Sequence, residues 1–321
     1  MSNNRRDDSM LNRLATFLTN QACLSIQSIR LIKPSIYLIK DEQNQQFILK
    51  GYRKLEIIDK QWALFDQLDL SFVIPFCYFP NQKKYVTWGG YYWTLQKFYA
   101  TRKLDYYNKI DRDHAWKVMK QFHKETDGIT LSDQPHSTAF VSKWKSRLAK
   151  WKQSKDLMHH FGYQNVYQEI EKQLVESIAW FVSINKPVIE KQPLFQKNWI
   201  HGDVASHNFL SDNKGNVYLI DFDLLSPSPS IYDEIQLGQR FLPYINHDFN
   251  QLYTYIEPVT EQAYELFCVA LTMPTDFVRE WWYFVIKTKE MADISNYLVD
   301  FQLSWEERKQ FVETINKELY R

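Results

Sequence analysis

The chain has 321 residues, 45% of them hydrophobic and 24% charged, which is enough apolar material for a sizeable core and excludes a chain disordered throughout. With 39 Lys and Arg against 38 Asp and Glu the net charge is +1, so no global field recruits nucleic acid or an acidic membrane surface. Three widely spaced cysteines, Cys23, Cys77 and Cys268, exclude a disulfide framework and a zinc site and fit a reducing compartment. The segment MSNNRRDDSMLNR has no apolar stretch of signal-peptide length, and no later run approaches the roughly 20 apolar residues of a membrane span. The expectation is a soluble, cytoplasmic protein whose large aromatic share fills its core.

From residue 24 the chain alternates short apolar runs with polar clusters. LSIQSIRLI, SIYLIK and FILKGY read as strands of a small antiparallel sheet, with DEQNQQ as a hairpin turn. In IIDKQWALFDQL, Ile58, Trp62, Phe65 and Leu68 recur at helical spacing. KKYVTW and YYWTLQKF flank Gly89-Gly90, the strongest hairpin signal in the chain. Five strands and one helix are expected in residues 1–98, and a helical lobe over 99–321.

The helical lobe opens with DHAWKVMKQFH, where Ala115, Val118, Met119 and Phe122 form one stripe. FVSKWKSRLAKWKQSKDLMHHF carries six Lys and Arg between Trp144, Leu148 and Trp151 and reads as one basic amphipathic helix with a solvated charged face. Alone, it does not make a nucleic-acid site. Ser304 followed by Glu307 predicts a capping box that starts a last helix over Phe311, Val312, Ile315 and Leu319.

The chemistry concentrates in NWIHGDVASHNFLSDNKGNVYLIDFD, residues 198–223. Phosphoryl transfer needs a carboxylate to orient an attacking hydroxyl and oxygen ligands to hold magnesium against the phosphates. Asp203 stands in His-Gly-Asp, and Asn208 follows it at the spacing used by kinase catalytic loops. NKGN turns the chain, VYLI reads as a buried strand, and Asp221-Phe222-Asp223 arrives at its end, so the hairpin supplies Asn208 and Asp221 as hard oxygen ligands. His201 reads as a buried scaffold residue. His207 reads as surface or substrate-facing.

These motifs, HGDVASHN and LIDFD, resemble those of the aminoglycoside phosphotransferase and choline kinase-like superfamily, and within it the bacterial spore-coat CotS type. The resemblance implies an α+β, two-lobed protein-kinase-like fold and a transfer from ATP, with Mg2+, to a small hydroxylated metabolite. It implies that Asp203 is the catalytic base, that Asn208 and Asp221 ligate the metal, with Asp223 as a further candidate, and that Lys50 of FILK contacts the nucleotide phosphates. Asp233 in SIYDEIQLGQRFL falls where the family braces its catalytic loop, together with His201. Phe122-His123 is similar to the family's Leu-His helix end, and ALTMPTDFVREWWYFVIKTK to a late segment of spore-coat relatives.

Two departures stand out. The first hairpin, IRLIKPSIYLI, has no glycine, so backbone amides approach phosphates less freely. The helix position expected to pair with Lys50 is Gln61, a hydrogen-bonding partner without charge, while Glu56 lies nearer the helix start. They set a second reading beside the kinase: a weak or inactive kinase-like assembly protein, associated with spore-coat proteins. Among Glu280, Glu290, Asp293 and Asp300, basic residues intersperse, which argues against a polycationic antibiotic as substrate.

Overall fold

The computed structural model describes residues 2–130, 139–191, 199–256, 260–288 and 290–320, without the side chains of 2–9, 139–140 and 186–191. Asn198, which opens the motif stretch, and the Phe140 side chain therefore lie outside the described residues. Two compact units emerge: Met1–Leu104 with Ser206–Leu225, and Asp105–Ala205 with Ser226–Arg321. The first is built on a small antiparallel sheet and the second is mainly helical. Among the described residues no helix is long and apolar enough to cross a membrane.

The first unit begins with a helix, α1 (Ser2–Ala22), where only the absence of a signal peptide had been read. Its signal was present: Leu14, Leu18 and Ala22 repeat every fourth residue and are fully buried. Then follow β1 (Ile26–Lys33), β2 (Ile36–Asp41), β3 (Gln46–Tyr52), α2 (Leu55–Phe65), β4 (Phe76–Cys77), β5 (Val86–Trp88) and β6 (Tyr91–Lys97). They form a six-stranded sheet in the order β1-β2-β3-β6-β4, with β5 also on β6. The expected five strands omitted β4, whose two residues are too short to show alternation. Gly89 and Gly90 both have positive φ, 61° and 76°, the conformation a two-residue hairpin between β5 and β6 demands.

Period-two alternation sorts the side chains of the sheet. One face carries Tyr37, Ile39, Phe47, Leu49, Trp93 and Leu95 against Leu14 and Leu18 of α1. The other packs Tyr52 and Phe76 against Ile58 and Trp62 of α2. A further short strand, β7 (Arg102–Lys103), was not expected, because the change to helical texture was placed directly after Phe98.

The second unit opens with α3 (Lys109–Glu125), capped by Asn108, whose side chain accepts from the Ile110 amide. The basic segment forms two helices, not one: α4 (Ala139–Lys152) and α5 (Lys155–His160). The break falls at Gln153-Ser154, where buried Ser154 accepts a hydrogen bond from Trp281 Nε1 at 2.8 Å. After α6 (Gln164–Lys191) and β8 (Trp199–Ile200), the chain crosses to the first unit for β9 (Phe209–Ser211) and β10 (Val217–Leu219).

It returns with β11 (Ser226–Pro227), which pairs with β8, and then α7 (Ile231–Phe241), α8 (Phe249–Tyr253), α9 (Glu261–Leu271), α10 (Thr275–Lys287) and α11 (Met291–Leu319). Gly238 lets α7 approach α9 closely: a Cβ there would stand 2.9 Å from the Phe267 ring. The capping box at Ser304 is not formed, since Ser304 lies inside α11. The stripe Ile294, Leu298, Phe301, Trp305, Arg308, Val312 and Ile315 runs unbroken through it, so burial carries the helix past a local start signal.

Candidate active site

In the first unit, Lys50 and Tyr52 lie two residues apart on β3 and so share one sheet face. Gly51 between them faces Trp93, and a Cβ there would come within 2.9 Å of the buried ring. The partners of Lys50 arrive on the β9–β10 hairpin. Asp212 closes its turn by accepting from the Lys214 and Asn216 amides, and Gly215 takes φ 84°. Backbone bonds from Leu219 N to Phe72 O and from Ile74 N to Leu219 O fasten the hairpin to the sheet's flank.

At the hairpin's end Asp221 has φ 69°, a left-handed conformation costing about 1 kcal/mol for a non-glycine residue and tolerated best by Asp and Asn. Phe222 is buried edge-on against Phe65 of α2, with ring centroids 4.8 Å apart. That anchor, with the sharp backbone, presents both flanking carboxylates to Lys50. Its ammonium reaches Asp221 Oδ1 at 2.5 Å and both oxygens of Asp223 at 2.8 and 2.9 Å, while the Tyr52 hydroxyl donates to Asp223 at 2.9 Å. Burial pushes the Asp221 carboxyl upward, but the charge and hydrogen bond of Lys50 outweigh it and hold Asp221 below the usual carboxylate range. Burial and the adjoining Asp221 charge leave Asp223 above that range. Burial, then the Asp223 charge, raise the Tyr52 phenol well above its ordinary value, so it stays a donor.

Asn208 is buried at the end of a 3-10 turn, Ser206–Asn208, and its carbonyl accepts from the Ile220 amide, the residue before Asp221. The donor set suits magnesium: one amide and one or two carboxylate oxygens, with no group of three His, Cys, Asp or Glu among the described residues to form a protein-only cage. Magnesium bound against phosphates takes one or two carboxylates and leaves the remaining positions to phosphate and water. Gln61 is buried on α2; among the described residues it makes no hydrogen bond to Lys50 and its Nε2 has no partner, while it adjoins the Tyr52 hydroxyl. Asp223, not an acid on α2, supplies the second charge on Lys50. In the glycine-free hairpin, Ser35 takes φ 62° and its carbonyl accepts from Gly51 N at 2.8 Å.

In the second unit the loop after β8 is held by Asp233, fully buried in the first turn of α7. Its carboxylate accepts from the His201 amide at 2.7 Å, the Gly202 amide at 2.9 Å and His123 Nε2 at 3.0 Å. Gly202 adopts φ 80° there, a conformation that favours glycine. His201 Nδ1 accepts from the Asp203 amide at 3.3 Å, so its ring shapes the loop and is not free to act as a base. The Tyr106 hydroxyl donates to Val204 O, bracing the loop from the other side. Asp203 itself is partly exposed and receives Arg240 Nη2 of α7 at 2.7 Å.

Arg240, Tyr52, Tyr106 and His123 were not nominated as site residues from the sequence. For Tyr52 the strand period was the available signal, since it puts residue 52 on the face of Lys50. For Arg240 it was the helix period: residue 240 follows Asp233 by seven, two turns along one face of α7. Asp203 belongs to the second unit, and Lys50, Asn208, Asp221 and Asp223 to the first; the chain passes between the units at Ala205-Ser206.

Residues 94–243 match the model of the phosphotransferase enzyme family, APH. No curated protein matches in sequence. An aminoglycoside phosphotransferase from Alicyclobacillus acidocaldarius is similar in structure, with TM-score 0.69 and 15% identity over 92% of this chain and 93% of that one. The choline kinase LicA from Streptococcus pneumoniae has TM-score 0.56 and 13% identity over 96% and 99%. Spectinomycin phosphotransferase, in complex with ADP and spectinomycin, has TM-score 0.57 and 15% identity over 94% and 93%. Over residues 94–243 the chain is therefore a match to the phosphotransferase enzyme family, and along nearly its whole length it has the kinase-like phosphotransferase fold.

Proposed function

We propose that the chain is a phosphotransferase that moves the γ-phosphoryl group of ATP to a hydroxyl of a small molecule. The observation that carries this reading is the Lys50 ammonium shared by Asp221 and Asp223. An internal ion pair of this kind is what a phosphate and its metal exchange with: the ammonium turns to phosphate oxygen and the carboxylate to the cation. Asn208 and Asp221 would hold magnesium, which when bound neutralises charge on the transferring phosphates. Asp203 orients the acceptor hydroxyl and takes its proton, and Asp233 holds the backbone of the loop that carries it. The relative crystallised with ADP supports a nucleotide as the donor.

A weakly binding or inactive kinase-like protein is the competing reading, favoured by Gln61 in place of an acid and by the glycine-free turn at Lys33–Ile36. Calorimetry with millimolar Mg-ATP separates the two. The proposal expects saturable, magnesium-dependent binding that Asp221→Asn weakens at least tenfold. Absence of both heat and thermal stabilisation would leave the competing reading in place.

A further inference from the structure

Lys50 has a contact besides its two carboxylates. Its ammonium lies 4.9 Å from the centre of the Tyr52 ring, within the distance at which an aromatic face attracts a cation. The Lys50 side chain is only 12% exposed and Tyr52 is buried, so this contact is shielded from water and stronger than one at the surface. The Tyr52 hydroxyl meanwhile donates to Asp223 Oδ1, the same oxygen that Lys50 holds at 2.8 Å. One side chain therefore touches both the cation and one of its anions.

The ring is the fixed member of the group. It packs edge-on to Phe76 of β4, with centroids 5.9 Å apart, in the cluster that includes Ile58 and Trp62 of α2. Lys50 instead carries its charge on a flexible four-carbon stem. Its contacts also differ in what competes for them. Magnesium is a hard cation that takes oxygen ligands, so it draws on Asp221 and Asp223 and leaves an aromatic face alone. Gln61, at the helix position where an acid was expected, makes no hydrogen bond to Lys50 among the described residues, and α2 supplies no charge in its place.

We propose that Tyr52 is the positioning residue of the phosphate-contacting lysine. Its ring keeps the Lys50 ammonium in place when a magnesium nucleotide claims the carboxylates, and its hydroxyl keeps hold of Asp223 when the ammonium turns to phosphate. The inference rests on the phosphotransferase reading for the role of Lys50. It gives to a ring on β3 the hold that Gln61 has no charge to provide.

The test is calorimetric titration of the full chain and of Tyr52→Phe and Tyr52→Leu with Mg-ATP and, separately, with adenosine. Tyr52→Leu removes ring and hydroxyl together and is expected to weaken Mg-ATP about tenfold, the size of one desolvated contact between a cation and a ring. Adenosine affinity should not change, because adenosine has no phosphate for Lys50 to meet. Tyr52→Phe keeps the ring and should recover most of the loss. Circular dichroism of each variant checks that the fold persists. Equal weakening of Mg-ATP and adenosine would show a merely structural role, and equal losses in Tyr52→Phe and Tyr52→Leu would show that the ring does not act; either result would overturn the inference. A parent chain that binds Mg-ATP no better than Tyr52→Leu does overturns the inference alone, whereas a parent that does not bind it removes the phosphotransferase reading and the inference together.

Discussion

Arg240 donates to Asp203 across 2.7 Å, so the carboxylate proposed as base is already paired with a guanidinium. An acceptor hydroxyl has to share that carboxylate with the guanidinium, which fixes where the free oxygen points. Asp203→Asn is expected to lower transfer by about 10²- to 10⁴-fold, the usual range for a positioned base, with nucleotide affinity unchanged. Steady-state kinetics beside calorimetry decides it, and equal losses in both would mean that Asp203 serves binding and not the proton.

Lys50 stands between two carboxylates, and removing it leaves Asp221 and Asp223 facing each other. Lys50→Ala is expected to cost about 1–3 kcal/mol, less than a fully buried pair because Asp223 is partly solvated. Adding Asp223→Asn to that variant should recover part of the loss by removing the repulsion. Urea denaturation of the two single variants and the double variant measures the coupling, and strictly additive losses would show that the three groups do not act together.

Asp233 satisfies two backbone amides and a histidine with one buried carboxylate. Asp233→Ala leaves all three donors unpaired and is expected to destabilise the second unit by about 3–5 kcal/mol. Asp233→Asn keeps the size but offers one acceptor in place of two, and should fall between. A melting temperature within a degree of the parent for both variants would contradict the bracing role.

Burial, reinforced by the charge of Arg308, lowers the His247 imidazole to about 4 from its ordinary 6.5. The unfolded chain therefore takes up a proton that the folded chain refuses between those values. Stability from this residue is complete above about pH 6.5, falls as the pH drops towards 4 and levels off below it. His247→Gln should flatten that part of the stability profile, measured by urea midpoints across the window. An unchanged slope would place the acid sensitivity elsewhere.

The candidate motifs and their order along the chain were legible in residues alone. His-Gly-Asp, the asparagine five residues on and the Asp-Phe-Asp after a short strand are local patterns, and local patterns survive in one dimension because turns and strand periods are set by adjacent residues. The sheet hairpins and the stripe of α3 followed for the same reason. What the sequence did not disclose depends on contacts distant in the chain. Lys50 and Asp223 are separated by 173 positions, and no local spacing reveals that Asp223 takes the place of an acid on α2. The capping box at Ser304 failed because the buried stripe of α11 outweighs a cap, and the basic segment broke at Gln153-Ser154, where Ser154 receives a hydrogen bond from Trp281, 127 positions away. Tertiary packing also set Arg240 of α7 on Asp203, 37 positions away, since pairing is settled by the neighbours that helices bring and not by the charges written beside them.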